Sequence, residues 1–407
     1  MVSEKMKALG VKKSVIREIF EYAKIRKAEI GAENVFDYSI GNPSVPAPET
    51  VKESLLALLT ETDPARLHGY TSAQGDPAVR QAIADYLNET YGANASADLI
   101  YLTVGAAAAL TVSLNAVLSD RGGEEVIVFA PFFPEYRVFV EKAGGKLVTV
   151  PCRESDFQID LEAFAQAITP STKAVIVNSP NNPTGVVLSE DTVLRLTEIM
   201  KSAEERFGHP IFLIADEPYR ELVYNGVSVP YLTRYYDHTV VCYSFSKSLS
   251  LPGERIGYIL VSPASAEAKD VYAAVLGAGR ALGFVCAPSL FQYMIPSCLG
   301  KTSDLSVYDT NRKLLHDSLT AYGYTCAAPD GAFYLFVKAL EKDAYAFCER
   351  AKKYELLLVP SDDFGFPGYV RIAYCVNTEQ IKRSLPAFEA LANDYKRNGK
   401  DSPLWKN

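Results

Sequence analysis

The sequence predicts an α/β protein: a large domain with a mostly parallel mixed sheet covered by helices, then a smaller α+β domain. Three observations predict it. Short apolar runs alternate with helical patterns through the middle of the chain. The last quarter mixes strands and helices differently. A length of 407 residues exceeds what one hydrophobic core usually holds, which favours two domains.

The elements follow in chain order. Ser14–Ile30 is amphipathic and reads as a helix that packs with the C-terminal domain. Val51, Leu55, Leu58 and Leu59 after Pro48 have helical spacing. Asp76-Pro77 reads as an N-cap followed by Pro at the first helical position, with Val79, Ile83, Tyr86 and Leu87 on one face. After YLTV (101–104) come EVIVFA (125–130), KLVTVP (146–151), KAVIVN (173–178), PIFLIA (210–215), TVVCYS (239–244) and IGYILVS (256–262). These six runs have the character of strands buried on both faces. Helical stretches such as Glu190–Arg206 separate many of them, which is the βαβ pattern. Further on, AFYLFV (332–337), LLLVP (356–360) and VRIAY (370–374) read as strands, with helices near 341–354 and 377–394. The expected division is 1–47 as a segment packing with the small domain, 48–297 as the large domain and 298–407 as the small one. The polar tail after Tyr395 is expected to fray.

Composition excludes several classes. A formal net charge of −8 argues against a general nucleic-acid binder, which needs a basic face. No run approaches the roughly 20 apolar residues that span a bilayer, and the N-terminus lacks a signal-type apolar stretch. Seven cysteines, an odd number with no C-x-x-C pair, argue against a disulfide framework or a zinc site. Four scattered histidines offer little else to hold a metal, so none is expected. A reducing cytoplasm is the expected compartment.

In open α/β sheets ligands bind beyond the carboxyl ends of the strands, so the residues after each run carry the interest. After TVVCY come Ser244, Phe245, Ser246 and Lys247, with Arg255 eight residues on. Hydroxyls and an arginine suit a phosphate beside a reactive amine, although a solvated loop lysine explains the fragment equally. After PIFLIA comes Asp216-Glu217-Pro218-Tyr219, where a carboxylate can pair with a protonated pyridine nitrogen and a tyrosine can donate to a phenolic oxygen. Ordinary turn chemistry is the alternative. After KAVIVN comes Ser179–Gly185, with Asn182 able to donate to the same oxygen. Gly105 with Ala106 and Ala107 opens a helix whose free N–H groups can take a phosphate. Phe133, after EVIVFA, can stack on a flat ring or simply pack in the core. Arg371, inside the run YVRIAY, needs an anionic partner if buried, from a substrate or from the protein. Gly277–Gly283 is glycine-rich but lacks the G-x-G-x-x-G spacing of a dinucleotide site.

Taken in order, NNPTG (181–185), DEPY (216–219) and SFSKSLSLPGER (244–255) resemble the class I/II aminotransferases of pyridoxal-phosphate (PLP) fold type I, from about Ile16 to Leu391. The resemblance implies the cofactor PLP, held by Lys247 as a Schiff base, with the same lysine moving the proton at the substrate Cα. It implies Asp216 on the pyridine nitrogen, Asn182 and Tyr219 on the phenolic oxygen, and Phe133 stacked on the ring. Ser244, Ser246, Arg255 and the N–H groups of Ala106 and Ala107 would bind the phosphate. Tyr70 resembles a tyrosine that reaches the phosphate of the neighbouring subunit, which implies a homodimer. Gly41 resembles a backbone contact to substrate, and Arg371 the clamp on its α-carboxylate.

The activity implied is a ping-pong exchange between an L-amino acid and a 2-oxo acid, with aspartate and 2-oxoglutarate as one candidate pair. A lysine found in one aspartate-using branch is replaced here by Ala107. Arg280, Lys12 and Lys13 are therefore the candidate cations for a second carboxylate. A PLP carbon–sulfur lyase acting at the β-carbon is the alternative. A non-catalytic PLP-sensing module is a third reading, which expects a DNA-binding domain ahead of a match that here begins near residue 16.

Overall fold

The apolar runs of the middle of the chain form one seven-stranded mixed sheet. The computed structural model describes residues 2–11 and 14–398. Its strands are β1 (Phe36–Asp37), β2 (Ile100–Thr103), β3 (Glu125–Ala130), β4 (Lys146–Pro151), β5 (Thr172–Asn178), β6 (Phe212–Asp216), β7 (Thr239–Ser244), β8 (Gly257–Val261), β9 (Tyr334–Lys338), β10 (Leu356–Leu357), β11 (Val359–Pro360) and β12 (Tyr369–Ala373).

The large sheet has the order β2-β8-β7-β6-β5-β3-β4. Strands β4, β3, β5, β6 and β7 pair in parallel. Strand β8 is antiparallel to both β7 and β2, so β2 runs with the parallel set. One edge therefore gathers the C-terminal ends of β2, β3, β5, β6 and β7 together with the start of β8. Every segment singled out from the sequence for following a strand emerges at that edge.

Successive side chains of a strand point to opposite faces. Val175, Val177, Leu213, Ala215 and Val241 join one buried cluster, while Ala174, Ile176, Ile214, Val240 and Cys242 join another on the far face. With both faces covered, these strands have no polar side to show, which explains their unbroken apolar character. KLVTVP departs from that expectation. It becomes β4 at the end of the sheet, where only Val150 is fully buried. An edge strand has one neighbour and less cover, so Lys146 and Thr149 face water.

Local signals set the helix ends. Asp76 Oδ1 accepts from the N–H groups of Ala78 and Val79 at 2.8 and 3.2 Å, starting the helix Pro77–Tyr91. Ser189 caps the helix Glu190–Phe207, and Gly208 ends it in the left-handed region at φ 73°. Gly277 and Gly279 lie within the helix Ala268–Leu282. A Cβ at Gly279 would come within 2.8 Å of the Tyr101 ring, so close packing accounts for that glycine.

A second core gathers Tyr38, Tyr308, Leu315, Phe333, Leu335, Val370, Ile372 and Leu391 around the antiparallel sheet β11-β12-β9. LLLVP, expected as one strand, divides in two: β10 pairs in parallel with β1, and β11 pairs with β12. The N-terminal chain is thereby stitched to the C-terminal part. Ile19 and Ala23 of the helix Val15–Ile30 pack with Leu357, Val359 and Phe364. Fully burying an Ile, Leu, Val or Phe side chain contributes about 1.5–3 kcal/mol. Arg26 Nε adds a hydrogen bond to Glu355 at 3.0 Å. The last helix, Thr378–Asn398, runs past Tyr395, with Lys396 Nζ bound to the Tyr322 carbonyl at 2.9 Å. The start of the polar tail is thus helical, and the rest lies outside the described residues. No described helix is long and apolar enough to cross a membrane.

Candidate active site

A cleft of about 350 Å³ opens at the shared strand edge. Its lining includes Gly41, Ala106, Ala107, Phe133, Asn182, Asp216, Tyr219, Ser244, Ser246, Lys247, Arg255 and Arg371. Twelve of the thirteen residues that the resemblance assigns to the cofactor and the substrate thus meet in one place. The exception is Tyr70, which is 98% exposed and does not line the cleft of its own chain. Arg280 is exposed and also outside it, and Lys12 and Lys13 lie outside the described residues.

Asp216 ends β6 and is 5% exposed. Its Oδ2 accepts a hydrogen bond from the Tyr136 hydroxyl, while its Oδ1 is buried without any partner. Burial pushes its pKa up to about 7; the Tyr136 hydrogen bond opposes the rise and the nearby Glu217 charge adds to it. Asn178, the last residue of β5, fixes the surroundings. Its Nδ2 donates to the Asp216 carbonyl at 2.9 Å and its Oδ1 accepts from the Asn182 N–H at 2.8 Å.

Lys247 follows β7 in the turn beyond Ser244. Its Nζ donates to the Gly41 carbonyl at 2.7 Å. Burial brings its pKa down to about 8, with the Arg371 and Arg255 charges acting in the same direction and Cys375 opposing them. A lysine so placed has a sizeable neutral fraction near neutral pH, which a base or nucleophile requires.

Near Lys247, Ser244 and Ser246 share a hydrogen bond of 2.7 Å, and Arg255 Nη1 reaches Ser246 Oγ at 3.5 Å. Opposite them the helix Ala106–Val117 begins at Gly105 with no side chain capping it. Ala106 and Ala107, the first residues of that helix, line the cleft, and N–H groups at a helix start suit an anion. A Cβ on Gly105, where φ is +89°, would meet Arg255 Nη2 at 2.7 Å, so glycine lets arginine and helix start approach. Two hydroxyls, a guanidinium and free amides form an anion cradle.

Arg371, on β12, is 2% exposed and has no carboxylate partner among the described residues. Its Nη2 donates to the Ser39 carbonyl at 2.6 Å and its Nη1 to Asn182 Oδ1 at 3.1 Å, while Nε has no partner. The Tyr334 ring lies 4.7 Å from the guanidinium. Tyr219 and Tyr334 share a hydrogen bond of 2.8 Å, and burial raises the Tyr219 pKa well above the usual value, so it stays a donor.

Sequence reasoning did not single out Tyr136, Asn178, Tyr334, Ile16 or Ile40. Asn178 carried a signal, a polar residue ending an apolar run. Tyr136 stands three residues after Phe133 in the same loop-to-helix stretch. Tyr334 sits inside AFYLFV, where nothing separates it from core aromatics.

The family model for aminotransferase class I and II matches residues 33–388. A crystal structure of an amino transferase from Eubacterium rectale is 55% identical, covers 98% of this chain and 100% of its own, and superposes with a TM-score of 0.95. An aspartate aminotransferase of Thermotoga maritima is 30% identical over 399 residues, 97% of this chain and 100% of that protein. Aromatic-amino-acid aminotransferase 2 of Thermococcus litoralis is 30% identical over 403 residues, 95% of this chain and 97% of that protein. On a family match that covers most of the chain, this protein belongs to the class I and II aminotransferases.

Proposed function

We propose that the enzyme is PLP-dependent and exchanges an amino group between an L-α-amino acid and a 2-oxo acid in two half-reactions. The observation that carries the reading is the unpartnered, buried Oδ1 of Asp216 in the cleft that Lys247 also lines. A buried carboxylate oxygen without a donor is costly unless a ligand completes it. A protonated pyridine nitrogen is such a ligand. The anion cradle of Ser244, Ser246, Arg255 and the Ala106 and Ala107 amides suits the phosphate, so the residues present fit the cofactor.

Bound, PLP supplies an aldehyde that condenses with amines and a ring that takes up the electron pair left when a Cα proton departs. The chain's own residues do the rest. Asp216 keeps the ring nitrogen protonated. Phe133 would pack against the ring, and Asn182 and Tyr219 would donate to its phenolic oxygen. Arg371, whose fork is only partly used by the Ser39 carbonyl and Asn182, takes the donor's α-carboxylate, with Gly41 beside it. Lys247 would hold the cofactor and, once freed, would remove the Cα proton and return it. Its lowered pKa supports that role.

The near-complete exposure of Tyr70 supports its service to a second copy, and with it a homodimer. The clusters on the two faces of the large sheet and the one around β11-β12-β9 support a large domain at 48–297 and a small one at 298–407 joined by 1–47, although Tyr219, Leu222 and Tyr224 pack into the small domain's core. Free cysteines fit a reducing cytoplasm. The relatives' names divide between aspartate and aromatic donors, with aspartate and 2-oxoglutarate one candidate pair.

The test is direct. The protein purified with PLP is yellow, and Lys247→Ala loses that absorption and nearly all turnover. A colourless protein that binds no added PLP refutes the reading. Ammonia and pyruvate released without an oxo-acid acceptor would make it a lyase instead.

A further inference from the structure

The hydrogen bond of 2.8 Å between the Tyr219 and Tyr334 hydroxyls joins two buried side chains. On the reading above, Tyr219 gives its proton to the cofactor's phenolic oxygen. A phenol carries one proton and can also accept a hydrogen bond. With the Tyr219 proton so committed, the bond between the two tyrosines needs the proton of Tyr334. Among the described residues the Tyr334 hydroxyl has no other hydrogen-bond partner, so its proton is free for that use.

The surroundings of Tyr334 suit it to donate. Strand pairing sets Tyr334 opposite Ala373, which makes Arg371, two residues back on β12, its diagonal neighbour on the same face. The Tyr334 ring accordingly lies 4.7 Å from the guanidinium. Burial lifts the Tyr334 pKa to about 12, and the Arg371 charge opposes the rise. A nearby cation favours the ionised phenol and so makes the hydroxyl a better donor. Gly41 leaves that hydroxyl its place: a Cβ there would collide with it and come within 2.8 Å of the ring carbon that bears it.

We propose that Tyr334 is a positioning residue for the cofactor, its hydroxyl donating to Tyr219 and so directing the Tyr219 proton to the phenolic oxygen. A hydroxyl that accepts a hydrogen bond becomes a stronger donor in turn. The inference rests on the PLP reading of the same cleft.

The experiment follows the absorption of the PLP-loaded protein against pH in wild type, Tyr334→Phe, Tyr219→Phe and the double variant. A donor on the phenolic oxygen favours the form with negative charge there and lowers the midpoint of the change. Tyr334→Phe keeps the ring beside Arg371 and removes one oxygen. It should raise the midpoint by about half a pH unit, roughly threefold in the ionisation constant. Tyr219→Phe should raise it by about one unit. Adding Tyr334→Phe to Tyr219→Phe should then change nothing, because the second hydroxyl acts only through the first. 3-Fluorotyrosine in place of Tyr334, a stronger acid of nearly the same size, should lower the midpoint, and it decides even if Tyr334→Phe fails to fold. The same response to pH in wild type and Tyr334→Phe overturns the proposal. So does an equal shift in the Tyr219→Phe background, which would make Tyr334 a packing residue. Both results leave the cofactor reading standing. A protein that binds no added PLP refutes that reading and the positioning role together.

Discussion

Replacing Asp216 with Asn removes a buried charge and leaves the shape nearly unchanged, so its effect on stability should depend on pH and on the cofactor. In the free protein, burial lifts the carboxyl from its ordinary 3.8 to about 7. A raised carboxyl favours the folded state while it is protonated. Its contribution is full below the unfolded value and is lost as pH rises through the folded one. The total is about 4 kcal/mol at 1.36 kcal/mol per pH unit, and about 3 kcal/mol of it falls between about pH 5 and pH 8.5. Asn does not titrate. The stability of Asp216→Asn relative to the native protein should therefore rise by about 3 kcal/mol over that range when PLP is absent. Glu221, also lifted by burial to about 7, titrates in both proteins and cancels. Bound PLP should reverse the trend, because a protonated ring nitrogen gives the native carboxylate its missing partner. The assay is urea unfolding of both proteins across that pH range, with and without saturating PLP. A difference that stays flat with pH, or an equal gain from PLP in both proteins at alkaline pH, would refute the account.

Two further substitutions test the ends of the cleft. Arg371→Ala should lower kcat/KM for every donor by about a hundredfold or more while the PLP absorption persists. Arg371→Lys should recover only part, because an ammonium lacks the two-pronged fork. Steady-state kinetics against bound-cofactor spectra separates the two effects, and an unchanged kcat/KM would remove Arg371 from substrate binding. Gly105→Ala puts an L residue at φ +89° and a Cβ against Arg255, so stability should fall by about 1–2 kcal/mol. PLP affinity should drop with it, by on the order of tenfold, as the helix start and Arg255 are pushed apart. Equilibrium dialysis reads the affinity, and an unaltered value would show that the cradle does not hold phosphate.

Much of the site was legible because of what a parallel sheet does to sequence. Parallel strands end at one edge, so residues separated by long stretches converge merely by following apolar runs. Phe133, Asn182, Asp216 and Lys247 could be grouped on that ground, and the structure brings them together. Periodicity reports that a strand is buried and not which way it runs or who its neighbours are. IGYILVS gave no sign that it would reverse as β8, yet that reversal is what starts the strand beside Arg255 at the edge. KLVTVP looked like an interior strand because apolar content does not tell an edge from a centre. The Tyr219–Tyr334 hydrogen bond joins residues 115 apart and leaves no mark in either neighbourhood.

The N-terminal segment shows the same limit with a functional consequence. SIGNP carries few chemical groups, and its part in the site comes from main-chain carbonyls that any residues could present. The β1–β10 pairing fixes the path just before it, so that Ser39 and Gly41 offer carbonyls to Arg371 and Lys247. Those bonds give each of two buried cations one main-chain acceptor and leave Arg371 Nε without a partner. A carboxylate bears a full charge where a carbonyl bears a partial one, and charge-assisted bonds are about twice as strong. In the function proposed here an arriving donor therefore competes with a backbone contact that is adequate and weaker. The site stays ordered without substrate and still favours its exchange.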